Sequence, residues 1–160
     1  MKIKFFTVGG TIDKVYFDRK NEYQVGDSRL FEILREVNVG FEYESESVLK
    51  KDSLDITDED RQIILGRVRE EKSRHIVLTH GTDTMVQTAA TLRSIPDKVI
   101  VLTGSMAPAR FRSSDAEFNI GCAIAAVQLL PPGVYIVMNG QIFDSGTVRK
   151  NVERGLFEKV

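Results

Sequence analysis

Four short apolar runs punctuate the chain, and the stretches between them carry apolar positions at helical spacing. The first run, residues 2–8, predicts a strand that ends at Gly9-Gly10-Thr11, where two glycines permit a sharp turn and close backbone approach. From Ile12 to Asp27 the chain is polar and lacks a core pattern. A connection of that length within a compact domain is usually functional, and this one reads as a mobile lid carrying Tyr16 and Tyr23. Ser28 stands as the cap of a helix with Leu30, Ile33, Leu34 and Val37 on its inner face, closed by Asn38-Val39-Gly40. Residues 41–49 alternate, which predicts a half-exposed edge strand. Thr57 caps the next helix, with Asp58, Glu59 and Asp60 in the turn where the dipole favours acids and Ile63, Ile64 and Val68 facing inward.

The second run, His75-Ile76-Val77-Leu78, leads through Thr79-His80-Gly81-Thr82-Asp83-Thr84 into a helix facing inward through Met85, Ala89 and Leu92. Lys98–Thr103 is the third strand-like run and ends at Gly104-Ser105-Met106-Ala107-Pro108. The next helix is read as packing through Phe118, Cys122, Ala125 and Leu129, and Pro131-Pro132-Gly133 breaks it before the last run, Val134–Met138. Residues 139–160 show no strong period. Strand alternating with helix predicts a three-layer α/β fold: a mostly parallel sheet of about five strands, flavodoxin-like winding and helices on both faces. The 160 residues suffice for one domain with a sizeable core.

Composition narrows the partners. Lys plus Arg (22) and Asp plus Glu (23) nearly cancel, so charge gives no reason to expect nucleic acid or an anionic membrane surface. No apolar run approaches the roughly 18 residues of a membrane helix. The single cysteine, Cys122, excludes an internal disulfide and suits the cytoplasm. His75 and His80 lack partners at ligand spacing, so no metal is expected, and the absence of glycine-rich phosphate loops argues against a nucleotide cofactor.

Polar residues fall where strands end: Thr11, Ser53, Thr82 with Asp83, then Gly104 with Ser105, and Lys150 beyond the last run. The C-terminal ends of parallel strands share one rim, so hydroxyls, a carboxylate and an ammonium can converge there. Such a set suits nucleophilic attack on a carbonyl: a threonine hydroxyl needs a base, which a lysine amine can supply, and backbone N–H groups at a helix start can hold the oxyanion. Each Ser or Thr taken alone reads first as a helix cap. Cys122 reads as core, and Arg110 and Arg112 as a solvated loop.

Val8-Gly9-Gly10-Thr11-Ile12 and Thr79-His80-Gly81-Thr82-Asp83-Thr84-Met85 resemble the two signature motifs of the bacterial-type L-asparaginase/glutaminase family. Leu102-Thr103-Gly104-Ser105-Met106, Ser113–Asn119 and Gly133–Asn139 resemble further segments of it. The resemblance implies hydrolysis of L-asparagine, or L-glutamine, to a carboxylate and ammonia. It implies Thr11 as the nucleophile forming an acyl-enzyme, with Tyr23 of Glu22-Tyr23-Gln24-Val25-Gly26 hydrogen-bonded to it. It implies Thr82, Asp83 and Lys150 as a second linked group, Asp83 holding the substrate's α-amino group and Ser53 its α-carboxylate, with Gly10 and Ser105 also at the substrate.

Three departures stand out. Ala107 replaces the arginine of the family's Gly-Ala-Met-Arg-Pro, Val8 replaces the first threonine of Thr-Gly-Gly-Thr, and the family's second, C-terminal domain has no counterpart before Val160. The expectation is therefore a single domain of the N-terminal type. Tail apolar residues between Glu153 and Val160 would pair with another copy, giving a homodimer or larger homo-oligomer that closes the site. Two alternatives stay open: a catalytically idle amino-acid-binding or sensing module that keeps the pocket, and a hydrolase of a different amide.

Overall fold

A computed structural model describes residues 1–160. Its strands and helices are β1 (Lys2–Gly9), β2 (Lys14–Phe17), β3 (Glu22–Val25), α1 (Leu30–Glu36), β4 (Glu42–Lys51), α2 (Asp58–Glu70), β5 (His75–Thr79) and α3 (Met85–Leu92). They continue with β6 (Val99–Thr103), α4 (Ala116–Leu129), β7 (Gly133–Met138), β8 (Gln141–Asp144), β9 (Val148–Asn151) and β10 (Leu156–Lys159). The main sheet runs β4-β1-β5-β6-β7-β8, parallel except for β8. Its five parallel strands therefore stand in the order 2-1-3-4-5, the expected flavodoxin-like winding, and the switch point lies between β1 and β5.

Side-chain alternation divides the core into two layers. Phe6, Val8, Ile76, Leu78, Ile100 and Leu102 pack beneath α2 and α3. On the opposite face, Ile3, Phe5, Val77, Val99 and Val101 pack beneath α1 and α4. Strand β4 covers the edge, with its Tyr43 and the preceding Phe41 against Phe5. Helix α2 begins with a reciprocal capping box: the Asp60 N–H donates to Thr57 Oγ1 at 3.2 Å, and the Thr57 N–H donates to Asp60 Oδ2 at 2.9 Å. No helix is long and apolar enough to cross a membrane.

Several expectations fail for identifiable reasons. Residues 12–27 are not structureless: a 3₁₀ turn over Thr11–Asp13 feeds the β2–β3 hairpin. Its burial is graded along its length, half-buried at Lys14, Val15, Gln24 and Val25 and exposed at the tip, so the pattern does not divide into a core face and a solvent face. In α4 the buried positions are Ala116, Asn119, Ile120, Ala123, Ala126 and Val127, whereas Phe118 and Leu129 are exposed and Cys122 is half-buried. The sheet selects the slim, alanine-rich face because small side chains let the helix approach closely, and the bulkier stripe is turned outward. Ile63 and Val37 also face solvent. Val37 lies past the end of α1, which closes at Asn38 in the left-handed region at φ 50°. The tail contains β8 and the β9–β10 hairpin; Phe157 packs into the chain's own core, whereas Val152 and Val160 stay exposed.

Candidate active site

The site begins with glycines at the switch point. Gly10 follows β1 at φ 92° and ψ −171°, a conformation reserved in practice for glycine. A Cβ on it would lie 2.3 Å from the Gly81 Cα, and a Cβ on Gly81 would lie 2.5 Å from the Ser53 Cβ. The turns after β1, β4 and β5 therefore touch through backbone, which brings Thr11, Ser53 and Thr82 to one crevice. Thr84, at the N-cap position of α3, does not cap it. Its hydroxyl donates to the Ser53 carbonyl at 2.7 Å and ties the β4 and β5 turns together.

Lys150 enters from the other side on β9. Its Nζ donates to Thr82 Oγ1 at 2.8 Å and pairs with Asp83 Oδ1 at 2.6 Å. Thr82 is buried, while the Asp83 side chain remains 40% exposed and open to a ligand. Threonine, lysine and aspartate thus form one hydrogen-bonded unit beside Gly81.

Beneath that unit His80 is wholly buried. Its Nδ1 lies 2.7 Å from the Gly81 carbonyl, which only accepts, so Nδ1 carries the proton and Nε2 accepts from Thr88 Oγ1 at 2.8 Å. Burial, aided by the nearby Arg61 charge and opposed by the Gly81 contact, lowers its pKa to about 4. The ring is neutral at neutral pH and acts as a fixed donor. With the Gly81 carbonyl turned to the imidazole, the trans peptide aims the Thr82 N–H the opposite way.

The remaining residues singled out from the sequence are less closely gathered. Tyr23 sits on β3 and is half exposed. Its ring lies 5.4 Å from that of Tyr16 and 6.0 Å from that of Phe111, and its hydroxyl makes no hydrogen bond to protein. The contact with Thr11 that the resemblance implies is thus not made in this structure. Ser53 is buried against Gly81, and the Ser105 hydroxyl is committed to the Ala107 carbonyl. A groove of about 530 Å³ lies beside the crevice, lined by Lys14, Tyr23, Val25, Lys50, Asp52 and Asp55 among others, rather than over Thr11 or Thr82.

Three positions have a part that sequence reasoning missed. The Asp115 carboxylate accepts the Met106 and Ala107 N–H groups, and Asn119 Nδ2 donates to the Gly104 carbonyl, so α4 fixes the loop after β6. Asp13 is buried at the base of the hairpin, its backbone carbonyl accepting the Gly26 N–H at 2.8 Å. Burial raises its pKa to about 6, only partly offset by the nearby Ser28 hydroxyl and Arg29 N–H, and one carboxylate oxygen has no partner. An acid two residues after a candidate nucleophile, at the start of a polar segment, was the only sequence signal for it.

A doubly wound sheet with threonines, an aspartate and a lysine at its switch point defines an α/β protein with a polar cluster where such folds bind ligands. The chain belongs to the asparaginase family, for the family model described as "Asparaginase, N-terminal" matches residues 2–156. It is 36% identical over 113 residues to a glutaminase-asparaginase of Acinetobacter glutaminasificans, covering 68% of this chain and 33% of that protein. It is 36% identical over 85 residues to L-asparaginase 2 of Escherichia coli, covering 50% of this chain and 24% of that protein. The thermostable L-asparaginase of Thermococcus kodakarensis superposes over the whole chain with a TM-score of 0.86 at 30% identity, and the chain covers 51% of it. The chain thus spans about half or less of the length of these relatives.

Proposed function

We propose that this chain hydrolyses the side-chain amide of L-asparagine to L-aspartate and ammonia. The observation that carries the reading is the junction of Lys150 with Thr82 and Asp83 at the switch point, one glycine contact away from the turn bearing Thr11. The names of these relatives, two asparaginases and a glutaminase-asparaginase, share amide chemistry and support it.

In the proposed reaction Thr11 Oγ attacks the amide carbon and its proton passes to the Thr82–Lys150–Asp83 unit. The carbonyl π electrons move to oxygen, where backbone N–H groups, that of Thr82 among them, stabilise the charge. Collapse breaks the C–N bond, and the departing nitrogen takes the proton and leaves as ammonia. Water then attacks the Thr11 ester, gives a proton to the same unit, and releases aspartate and the restored hydroxyl. Asp83, half open to solvent, holds the substrate's α-ammonium, and the turn around Ser53 receives the α-carboxylate. Tyr23 reaches Thr11 once the hairpin leaves Phe111. We place the reaction in the cytoplasm, in a homo-oligomer whose second copy closes the crevice.

The test is ammonia release from L-asparagine by the purified protein beside Thr11→Ala, with L-glutamine as a competing substrate. Release lost only in the variant is expected. Calorimetric binding of L-aspartate without turnover of any amide would identify an idle binding module instead. An active monomer in sedimentation would remove the second copy from the site.

A further inference from the structure

Lys150 is carried on a strand that belongs to no large sheet. β9 pairs only with β10, and an isolated two-stranded hairpin is marginally stable. Its position must come from what it is docked against. One anchor is apolar: Val148 and Phe157 are buried in the layer beneath α2 and α3. The other is polar and comes from a different hairpin. Asn139 Oδ1 accepts the Phe157 N–H at 3.0 Å.

Phe157 is the residue directly opposite Lys150 in the β9–β10 ladder. Because its N–H points out to Asn139 and not to β9, the two form a non-hydrogen-bonded pair, the closer of the two pair types, with side chains on one face. A continuous path therefore runs from Asn139 through the Phe157 backbone to Lys150, and from Lys150 Nζ to Thr82 and Asp83. Asn139 is itself rigid. With φ 55° followed by Gly140 at φ 72°, it forms the two-residue turn joining β7 to β8 at the end of the main sheet. Asparagine, aspartate and glycine all suit that turn, but glycine lacks the acceptor that the Phe157 N–H requires.

We infer that Asn139 is a positioning residue: it registers the β9–β10 hairpin on the main sheet and thereby sets Lys150 against Thr82 and Asp83. Its kinetic consequence rests on the proposed amide hydrolysis, whereas its structural consequence does not.

The experiment compares Asn139→Gly, which keeps the turn and removes the acceptor, with Asn139→Asp, which keeps both. Acetylation by an N-hydroxysuccinimide ester, followed peptide by peptide by mass spectrometry, reads the accessibility of the Lys150 amine, with buried Lys98 and exposed Lys159 as internal references. Asn139→Gly is expected to raise Lys150 labelling about threefold or more through local opening of the hairpin, with Lys98 unchanged. It is expected to lower kcat about ten- to hundredfold with KM changed far less, the cost of a misplaced catalytic group. Asn139→Asp restores both readouts. Wild-type labelling of Lys150 in Asn139→Gly overturns the inference, as does equal loss in Asn139→Asp. If Asn139→Gly does not fold, Asn139→Asp decides: wild-type labelling supports the acceptor role and raised labelling refutes it. If no amide is hydrolysed by the wild-type protein, the labelling still answers for Asn139 while the proposed function falls.

Discussion

Lys150 Nζ lies 2.8 Å from Thr82 Oγ1 although 68 positions separate the two residues, and 2.6 Å from the neighbouring Asp83 carboxylate. Replacing Lys150 by methionine keeps much of the aliphatic stem and removes the amine. If Lys150 serves proton transfer as proposed, kcat falls about 10²- to 10⁴-fold, while circular dichroism and melting temperature change little. Steady-state ammonia release checks the first statement and thermal unfolding the second.

Glycine is required at Gly10 and not at Gly66. An alanine at position 10 meets Gly81 backbone at 2.3 Å with a φ of 92°, which no flexible side chain can relieve. Gly10→Ala should cost roughly 3 kcal/mol or more. Gly66 lies inside α2 with nothing near its Cβ, so Gly66→Ala should stabilise by about 1 kcal/mol. Urea unfolding of the two variants measures the opposite signs directly.

Asp13 gives a signed pH dependence. Its pKa is about 6 folded against 3.8 for the unperturbed group, so the folded state binds the proton more tightly. The favourable contribution is complete below 3.8 and is lost as pH rises through 6, a change of about 3 kcal/mol at most. Asp13→Asn should therefore be more stable than wild type at pH 7.5, with the difference shrinking to nothing near pH 4. Melting curves of both proteins across that range test it, and a pH-independent difference would refute the buried charge.

His80 works in the other direction over nearly the same window. Its pKa of about 4 lies below the usual 6.5, so its contribution is complete above 6.5 and is lost as pH falls through 4. In a proton NMR titration the His80 ring signals should hold at their neutral positions to about pH 5. Thr88→Val removes the hydroxyl donor to Nε2 and should broaden or shift the His80 signals without unfolding the protein.

Much of the fold was legible because its cause is local. Ile76-Val77-Leu78 and Val99–Leu102 are apolar on both faces, as strands between two helical layers must be. Thr57 with Asp60 announced the start of α2 by chain-local hydrogen bonds. What failed was decided at a distance. Phe118 and Leu129 are as apolar as any core residue, but the sheet admits only the slim face of α4. The β2–β3 hairpin was missed because only its base is half-buried, so the alternation of Glu22-Tyr23-Gln24-Val25 is not matched by a core face.

The candidate site divides the same way. The sequence by itself determined which chemistry was present: hydroxyls, a carboxylate and an amine at strand ends, and glycines where backbone must approach backbone. Residue identity and short-range periodicity are enough for that. The resemblance already linked Thr82, Asp83 and Lys150, but only the tertiary structure decided the distances and which other groups meet. It joined Lys150 to Thr82 and Asp83, left Tyr23 on Phe111, closed the Ser105 hydroxyl on its own loop, and buried His80 and Asp13. Those outcomes depend on strand order, on the seating of a hairpin beside the sheet and on desolvation, and these arise from contacts between residues far apart in the chain.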